Sequence, residues 1–297
     1  MNKSSIKGNF ILMLTAFIWG TAFVAQSVGM DYVGPFTFIT IRYIIGGIFL
    51  IPCIFLLNKF NKNSNKAANR NNKHLYIGGL ACGIVLFTAS GFQQIGMQYT
   101  TVGKSGFITA LYVIIVPMMG LLFGKKVQKR VWFSVAIALV GLYLLCMKEN
   151  LQVSKGDFLT LMCAICFSIH ILVIDKFSPL VDGVRMSCIQ FFVAGILGII
   201  PMIIFENPNF EGLRQAYSPI LYAGIMSSGV AYTLQIIGQR YTSPVMATLI
   251  MSLESVFAAL SGWIILNEFL SIKEFIGCIL VFAGIVIAQL PDKKEKV

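Results

Sequence analysis

One carboxylate stands out by its surroundings. Glu254 lies within the stretch 244–266, among Met251, Leu253, Val256 and Phe257, and no other charged residue occurs between 244 and 265 apart from it. An ionisable group in the middle of an apolar segment costs several kcal/mol unless it is paired or wet. Holding a substrate amine or passing a proton would justify that cost; a carboxyl bonded across to a neighbouring helix is the plainer structural reading. Arg42, some seven residues into the stretch 35–57, has three uses of its own. It can snorkel to the interface, hold a substrate carboxylate, or pair with an acid. Gln93 and Gln235 have two readings, as glue bonding between helices, which stabilises by about 1 kcal/mol each, and as groups of a substrate pathway. Trp19 is deep enough in its segment to line a cavity rather than an interfacial belt. His170 is a candidate proton relay, although a lone buried histidine is more often only hydrogen-bonded.

These side chains sit on segments that only a bilayer explains. Of the 297 residues, 57% are hydrophobic and 12% charged, about half the charge of an ordinary soluble domain. The chain divides into apolar runs at 10–29, 35–57, 75–98, 102–123, 131–147, 156–175, 185–205, 216–239, 244–266 and 273–290. Each is near the roughly 20 residues that cross a hydrocarbon core of about 30 Å at about 1.5 Å per residue. In lipid the backbone must bond to itself, so each run is expected to be helical. The net charge of +11 does not point to nucleic acid, because the basic residues occupy short connectors and form no stripe on a polar fold. The longest connector, 58–74, is rich in Asn, Lys and Ala and reads as a polar loop that buries nothing. The first run is longer than the apolar core of a signal peptide and is not expected to be cleaved.

Basic residues give the direction of crossing. With a cytoplasmic N-terminus and ten crossings, 17 Lys and Arg fall on the cytoplasmic side and five (Lys104, Lys148, Lys155, Arg214 and Lys273) on the other, with Arg42 inside a span. That bias predicts both termini in the cytoplasm and an even number of spans.

The two halves also match each other. At an offset of 148, Gly8, Phe10, Ala16, Gly47 and Ile48 meet Gly156, Phe158, Ala164, Gly195 and Ile196. At an offset of 142, Gln93, Gly96, Tyr99 and Thr100 meet Gln235, Gly238, Tyr241 and Thr242. The pattern QxxGxxYT is hard to obtain twice by chance. Five spans per half is an odd number, so the second copy enters from the opposite face. The expected fold is an all-α polytopic membrane protein of two inverted five-helix repeats, 1–147 and 148–297. Secondary transporters use this architecture to build two related gates around a midplane site. In the repeat, Tyr112 stands at the position of Glu254, and Gln190 at that of Arg42.

The chain resembles the drug/metabolite transporter superfamily, in particular its ten-helix EamA-type transporters. The resemblance rests on AFIWGTAFVAQ (Ala16 to Gln26), Pro35 followed by IRYIIGG (Ile41 to Gly47), GFITALYVIIVP (Gly106 to Pro117) and MSLESVFAALSGWIILNE (Met251 to Glu268). It extends over both halves. Two positions depart from the family: Ser255 replaces a proline common after the glutamate, which leaves a kink there without its usual cause, and Lys125 and Lys126 stand near a customary acid. The resemblance implies eight helices around a central cavity, with spans five and ten at the periphery, and alternating access driven by a gradient.

The expected function is a secondary transporter in the plasma membrane that exports a small polar metabolite such as an amino acid, with protons as a candidate coupling ion. Its substrate pathway would use Trp19, Arg42, Gln93, Tyr112, His170, Gln235 and Glu254. A multidrug exporter of lipophilic cations is the rival within transport, and a receptor or membrane enzyme the rival outside it. No enzyme activity, cofactor, metal or nucleic-acid partner is expected. The seven cysteines all lie in apolar runs, and the Cys163–Cys166 pair lacks the second pair a zinc site needs. Gly103-Lys104-Ser105 resembles the end of a phosphate-binding loop, but Gln98 occupies the position of its first glycine and no strand precedes it. Oligomeric state is not legible.

Overall fold

The computed structural model describes residues 3–60, 72–100, 102–122, 124, 127–146, 154–266 and 271–290. Among them every regular element is helical. Most of the expected polar loop lies outside the described residues, as do Lys125, Lys126 and Glu268.

Nine helices among the described residues are long and apolar enough to cross a membrane. They are Ser5–Met30, Pro35–Lys59, Asn72–Met97, Ser105–Leu122, Lys155–Phe177, Gly183–Phe205, Tyr217–Gln239, Pro244–Ser261 and Ile272–Gln289. The remaining expected span is the 18-residue helix Lys129–Cys146. Residue contacts show that it too makes one traverse. Gly79 of span three faces Ile189 of span seven, and Gly83 faces Val193, so these two helices run parallel. Four reversals lie between them if Lys129–Cys146 crosses and three if it does not; only four keeps them parallel. The helix runs antiparallel to span ten, with Gly141 against Val281 and Ser134 against Gly284. Among the described residues the result is an all-α fold in which ten helical segments each make one traverse.

Helix ends follow from sequence. Ser154 and Asp157 form a reciprocal capping box at span six, and Ser271 and Glu274 form another at span ten. Ser243 caps span nine just before Pro244, whose missing N–H is harmless at a first turn.

Two spans are interrupted. Span four is Val102–Thr109 followed by Tyr112–Leu122, and span nine is Pro244–Met251 followed by Leu253–Leu266. At the 142-residue offset the two breaks coincide. The second occurs without a proline. The Ser252 hydroxyl instead donates to the Leu249 carbonyl at 2.7 Å, and such local bonding competes with the helical ladder. Span eight is irregular in another way: Ala223–Tyr232 is a ten-residue π-helix between α-helical ends. Its counterpart in span three, residues 81–90, is uninterrupted α-helix.

The QxxGxxYT segments dock each half onto the other. Gly96 lies against Gly156, so closely that a Cβ on Gly156 would come within 2.6 Å of the Gly96 carbonyl. Thr100 donates to Asp157 Oδ1 at 2.7 Å, and Lys155 lies over the Tyr99 ring. In the other copy Gly8 abuts Gly238, Thr242 donates to Asn9 Oδ1 at 3.1 Å, and Lys7 lies over the Tyr241 ring.

Candidate functional site

The interruptions of spans four and nine place two side chains opposite each other. Tyr112 begins the second half of span four, and Glu254 lies in the first turn of the second half of span nine. The Tyr112 hydroxyl donates to Glu254 Oε1 at 3.0 Å. Glu254 is 6% exposed, and its Tyr112 bond is the one side-chain hydrogen bond found for it among the described residues. Gly20 makes this approach possible. A Cβ there would fall 2.5 Å from Phe257 Cβ and 2.8 Å from the Glu254 carbonyl oxygen, so only glycine lets span one pass so near the break. The preceding Trp19 lines the same cavity as the carboxylate, its Nε1 donating to the Ser227 carbonyl at 3.4 Å. That carbonyl belongs to the π-helix, where ladder bonds reach one residue further and leave carbonyls for other donors.

Around these groups is a cavity. Trp19, Phe23, Gln26 and Arg42 line it from spans one and two, and Gln93, Thr109 and Tyr112 from spans three and four. Phe167 and Ile171 come from span six, Ser227, Tyr232 and Gln235 from span eight, and Met251 and Glu254 from span nine. At the two offsets Trp19 pairs with Phe167, Phe23 with Ile171, Gln93 with Gln235, Thr109 with Met251 and Tyr112 with Glu254. The cavity therefore lies where equivalent positions of the two halves converge.

Arg42 is held rather than free to snorkel. It is 2% exposed. Its Nη1 donates to Gln26 Oε1 at 2.9 Å, and its Nη2 to the Tyr43 hydroxyl at 2.9 Å and to Ser90 at 3.4 Å. Tyr43 and Ser90 also bond each other. The guanidinium lies over the Tyr43 ring at 4.7 Å, and its Nε has no partner among the described residues. Among the described residues no carboxylate pairs with it. Among the described residues, one wall thus carries a guanidinium with no carboxyl group beside it and another a carboxyl group with no basic side chain beside it.

Six of the seven side chains expected to form a pathway line this cavity: Trp19, Arg42, Gln93, Tyr112, Gln235 and Glu254. Gln93 donates across helices to Thr109 at 3.3 Å, while Gln235 Oε1 has no partner among the described residues. His170 is elsewhere. It is fully buried behind the lining, with Nε2 bonded to Gln190 Oε1 at 3.1 Å and its ring edge-on to Tyr232. Sequence reasoning missed Gln26, Thr109, Ser227 and Tyr232. Gln26 and Thr109 had a signal, since each is a polar side chain inside an apolar run. Ser227 and Tyr232 are aimed by the π-helix, which has no composition of its own.

A family model described as the EamA-like transporter family matches residues 6–147 and again 154–289. A protein described as an uncharacterized transporter from Archaeoglobus fulgidus is 32% identical over 280 residues, covering 94% of this chain and 84% of the relative. The uncharacterized transporter YoaV of Bacillus subtilis is 22% identical, covering 96% and 98%. A crystal structure 18% identical to this chain superposes with a TM-score of 0.78, covering 95% and 96%, and shows the fold.

Proposed function

This chain belongs to the EamA-like transporter family, and from that premise we propose that it is a secondary active transporter exporting a small polar metabolite, with an amino acid as the model substrate. The observation that carries the proposal is the placement of Arg42 and Glu254 in one lining, with no opposite charge beside either among the described residues. A buried charge without a partner is costly, and a ligand bearing an anionic and a cationic end relieves both costs at once. Arg42 takes the carboxylate. Glu254 takes the ammonium, beside the faces of Trp19 and Tyr112. Gln93 and Gln235 supply further hydrogen bonds.

A lipophilic-cation exporter is the second reading. Trp19, Phe23, Phe167 and Tyr232 give the cavity an aromatic wall on which a cation would rest. Arg42 argues against it, because a like charge in a shared low-dielectric cavity repels a ligand that is only positive.

Alternating access would come from two inverted halves, 1–147 and 148–297. The repeated docking contacts, the coincident breaks and the paired lining residues support that division. Protons are the proposed coupling ion, with Glu254 exchanging a proton for the substrate ammonium. The basic bias in the connectors supports both termini in the cytoplasm, and the plasma membrane is the proposed location.

The test is flux in proteoliposomes under an imposed pH gradient, with amino acids, amines and carboxylic acids offered separately. Gradient-dependent flux of an amino acid is expected. It should disappear in Glu254→Gln while the variant reaches the membrane in normal amount. Flux of amines alone would favour the second reading, and full activity of Glu254→Gln would remove that residue from the mechanism.

A further inference from the structure

The two halves begin their second helices differently. Span two follows Gly34-Pro35. Gly34 has no side chain to cap the helix, and Pro35 has no N–H, so the first free donors are the N–H groups of Phe36 and Thr37. Glu206, at the far end of span seven, accepts both. Phe36 N donates to Oε1 at 2.7 Å and Thr37 N to Oε2 at 2.8 Å, and the Thr37 hydroxyl also donates to Oε2 at 2.6 Å. Gly34 leaves the room, since a Cβ there would overlap the carboxyl group. The cap of one half is thus supplied by the other.

The equivalent place lacks the carboxylate. Asn58 stands 148 residues before Glu206, and Arg185 the same distance after Thr37. Arg185 Nη2 donates to Asn58 Oδ1 at 3.0 Å. There the helix start needs nothing from the other half, because Asp182 caps it locally, accepting from Arg185 N at 2.9 Å. Separating spans two and seven at one end therefore orphans two backbone donors beside an anion. At the other end it breaks one side-chain bond.

The first contact is also tied to the cavity through span two, which carries Arg42 into the lining. Phe38, fully buried, is one residue beyond Thr37, and Arg42 lies over the Phe38 ring at 5.8 Å. Thr40, 1% exposed, fills the seam between spans two and seven against Gly198.

We infer that Glu206 is the lock of one of two unequal gates: its carboxylate closes the end of the cavity where span two begins and must release Phe36 and Thr37 before that end opens. This rests on the alternating-access reading but is measured without transport. The resting protein is biased towards closure at this end, and Asn58 with Arg185 forms the weaker latch.

The test uses the full chain in membrane vesicles with its native cysteines replaced and Thr40→Cys added as a near-isosteric reporter. A membrane-impermeant maleimide is applied to each face in turn. Glu206→Gln, which keeps the shape and loses the charge, should raise labelling from one face by roughly tenfold, the effect of losing charge-assisted bonds. Asn58→Ala should leave it within about twofold, since a single side-chain bond at a half-exposed site contributes little net stability. If Glu206→Gln does not reach the membrane, Thr37→Val, which removes only the hydroxyl donor, should raise labelling about threefold. Unchanged labelling in the variant examined, or an equal rise in Asn58→Ala, would overturn the lock. Absence of gradient-driven flux in the wild type, with the labelling difference intact, would sink the transport reading instead.

Discussion

The docking segments and the cavity lining are made from the same repeated halves, yet they have kept different things. At the docking segments both copies retain glycine against glycine, a threonine donating across to the other half, and a lysine over a tyrosine ring. In the lining, Tyr112 faces Glu254 and Arg42 corresponds to Gln190. Geometry that assembles two halves must serve both, so a change in one copy unbalances the joint. On the proposed function a ligand would lie in the cavity in one orientation, and its two ends would need different partners. The framework is therefore symmetric and the chemistry is not.

The comparison can be broken most severely at the acid. Glu254→Gln is expected to lower flux by roughly 100-fold, the scale of losing a charged contact of about 3 kcal/mol. The exchange Tyr112→Glu with Glu254→Tyr should still reach the membrane but not recover flux, because Arg42 has not moved with it; recovery would mean that the lining is functionally symmetric. Next in size, Arg42→Gln should reduce amino-acid flux by about 30-fold while the corresponding amine, carrying no carboxylate, loses less than about threefold. Equal losses for both would assign Arg42 to structure alone. Tyr112→Phe removes one hydroxyl donor and should cost roughly three- to tenfold in flux, with normal membrane abundance. The smallest effects lie in the framework. Thermal unfolding in detergent should show Thr100→Val destabilised by about 1–2 kcal/mol and Thr242→Val by about 0.5–1 kcal/mol, because Asp157 is a charged acceptor and Asn9 is not. Flux per folded molecule should change little in either.

Much of the framework was legible because lipid leaves the backbone few choices. Apolar run length placed the helices, and QxxGxxYT gave the internal match before any contact was known. Its physical use was not legible: Gly96 and Gly238 are close-approach positions, and the sequence does not name what approaches. The cavity lining was legible where a charge stood in an apolar run, as Arg42 and Glu254 did. Its surroundings were not, because Tyr43 and Ser90 become partners of Arg42 only through the packing of spans two and three. His170 was a weaker candidate than these in sequence, where a lone buried histidine is more often only hydrogen-bonded, and its helix turns it towards Gln190. Glu206 sat at the end of an apolar run, where a carboxylate is ordinary; the clue was the uncapped Gly34-Pro35 start, whose first free donor, Phe36 N, lies 170 residues earlier.

The π-helix of span eight turns residue count into geometry. Its ladder bonds skip one residue more than those of an α-helix, so the ten residues Ala223–Tyr232 wind in fewer, wider turns than the ten equivalent residues of span three. Rewinding those ten residues as an α-helix would turn the remainder of span eight relative to its start and carry Tyr232 and Gln235 off the cavity wall. The cavity wall on this side is therefore set by backbone winding as well as by side-chain identity.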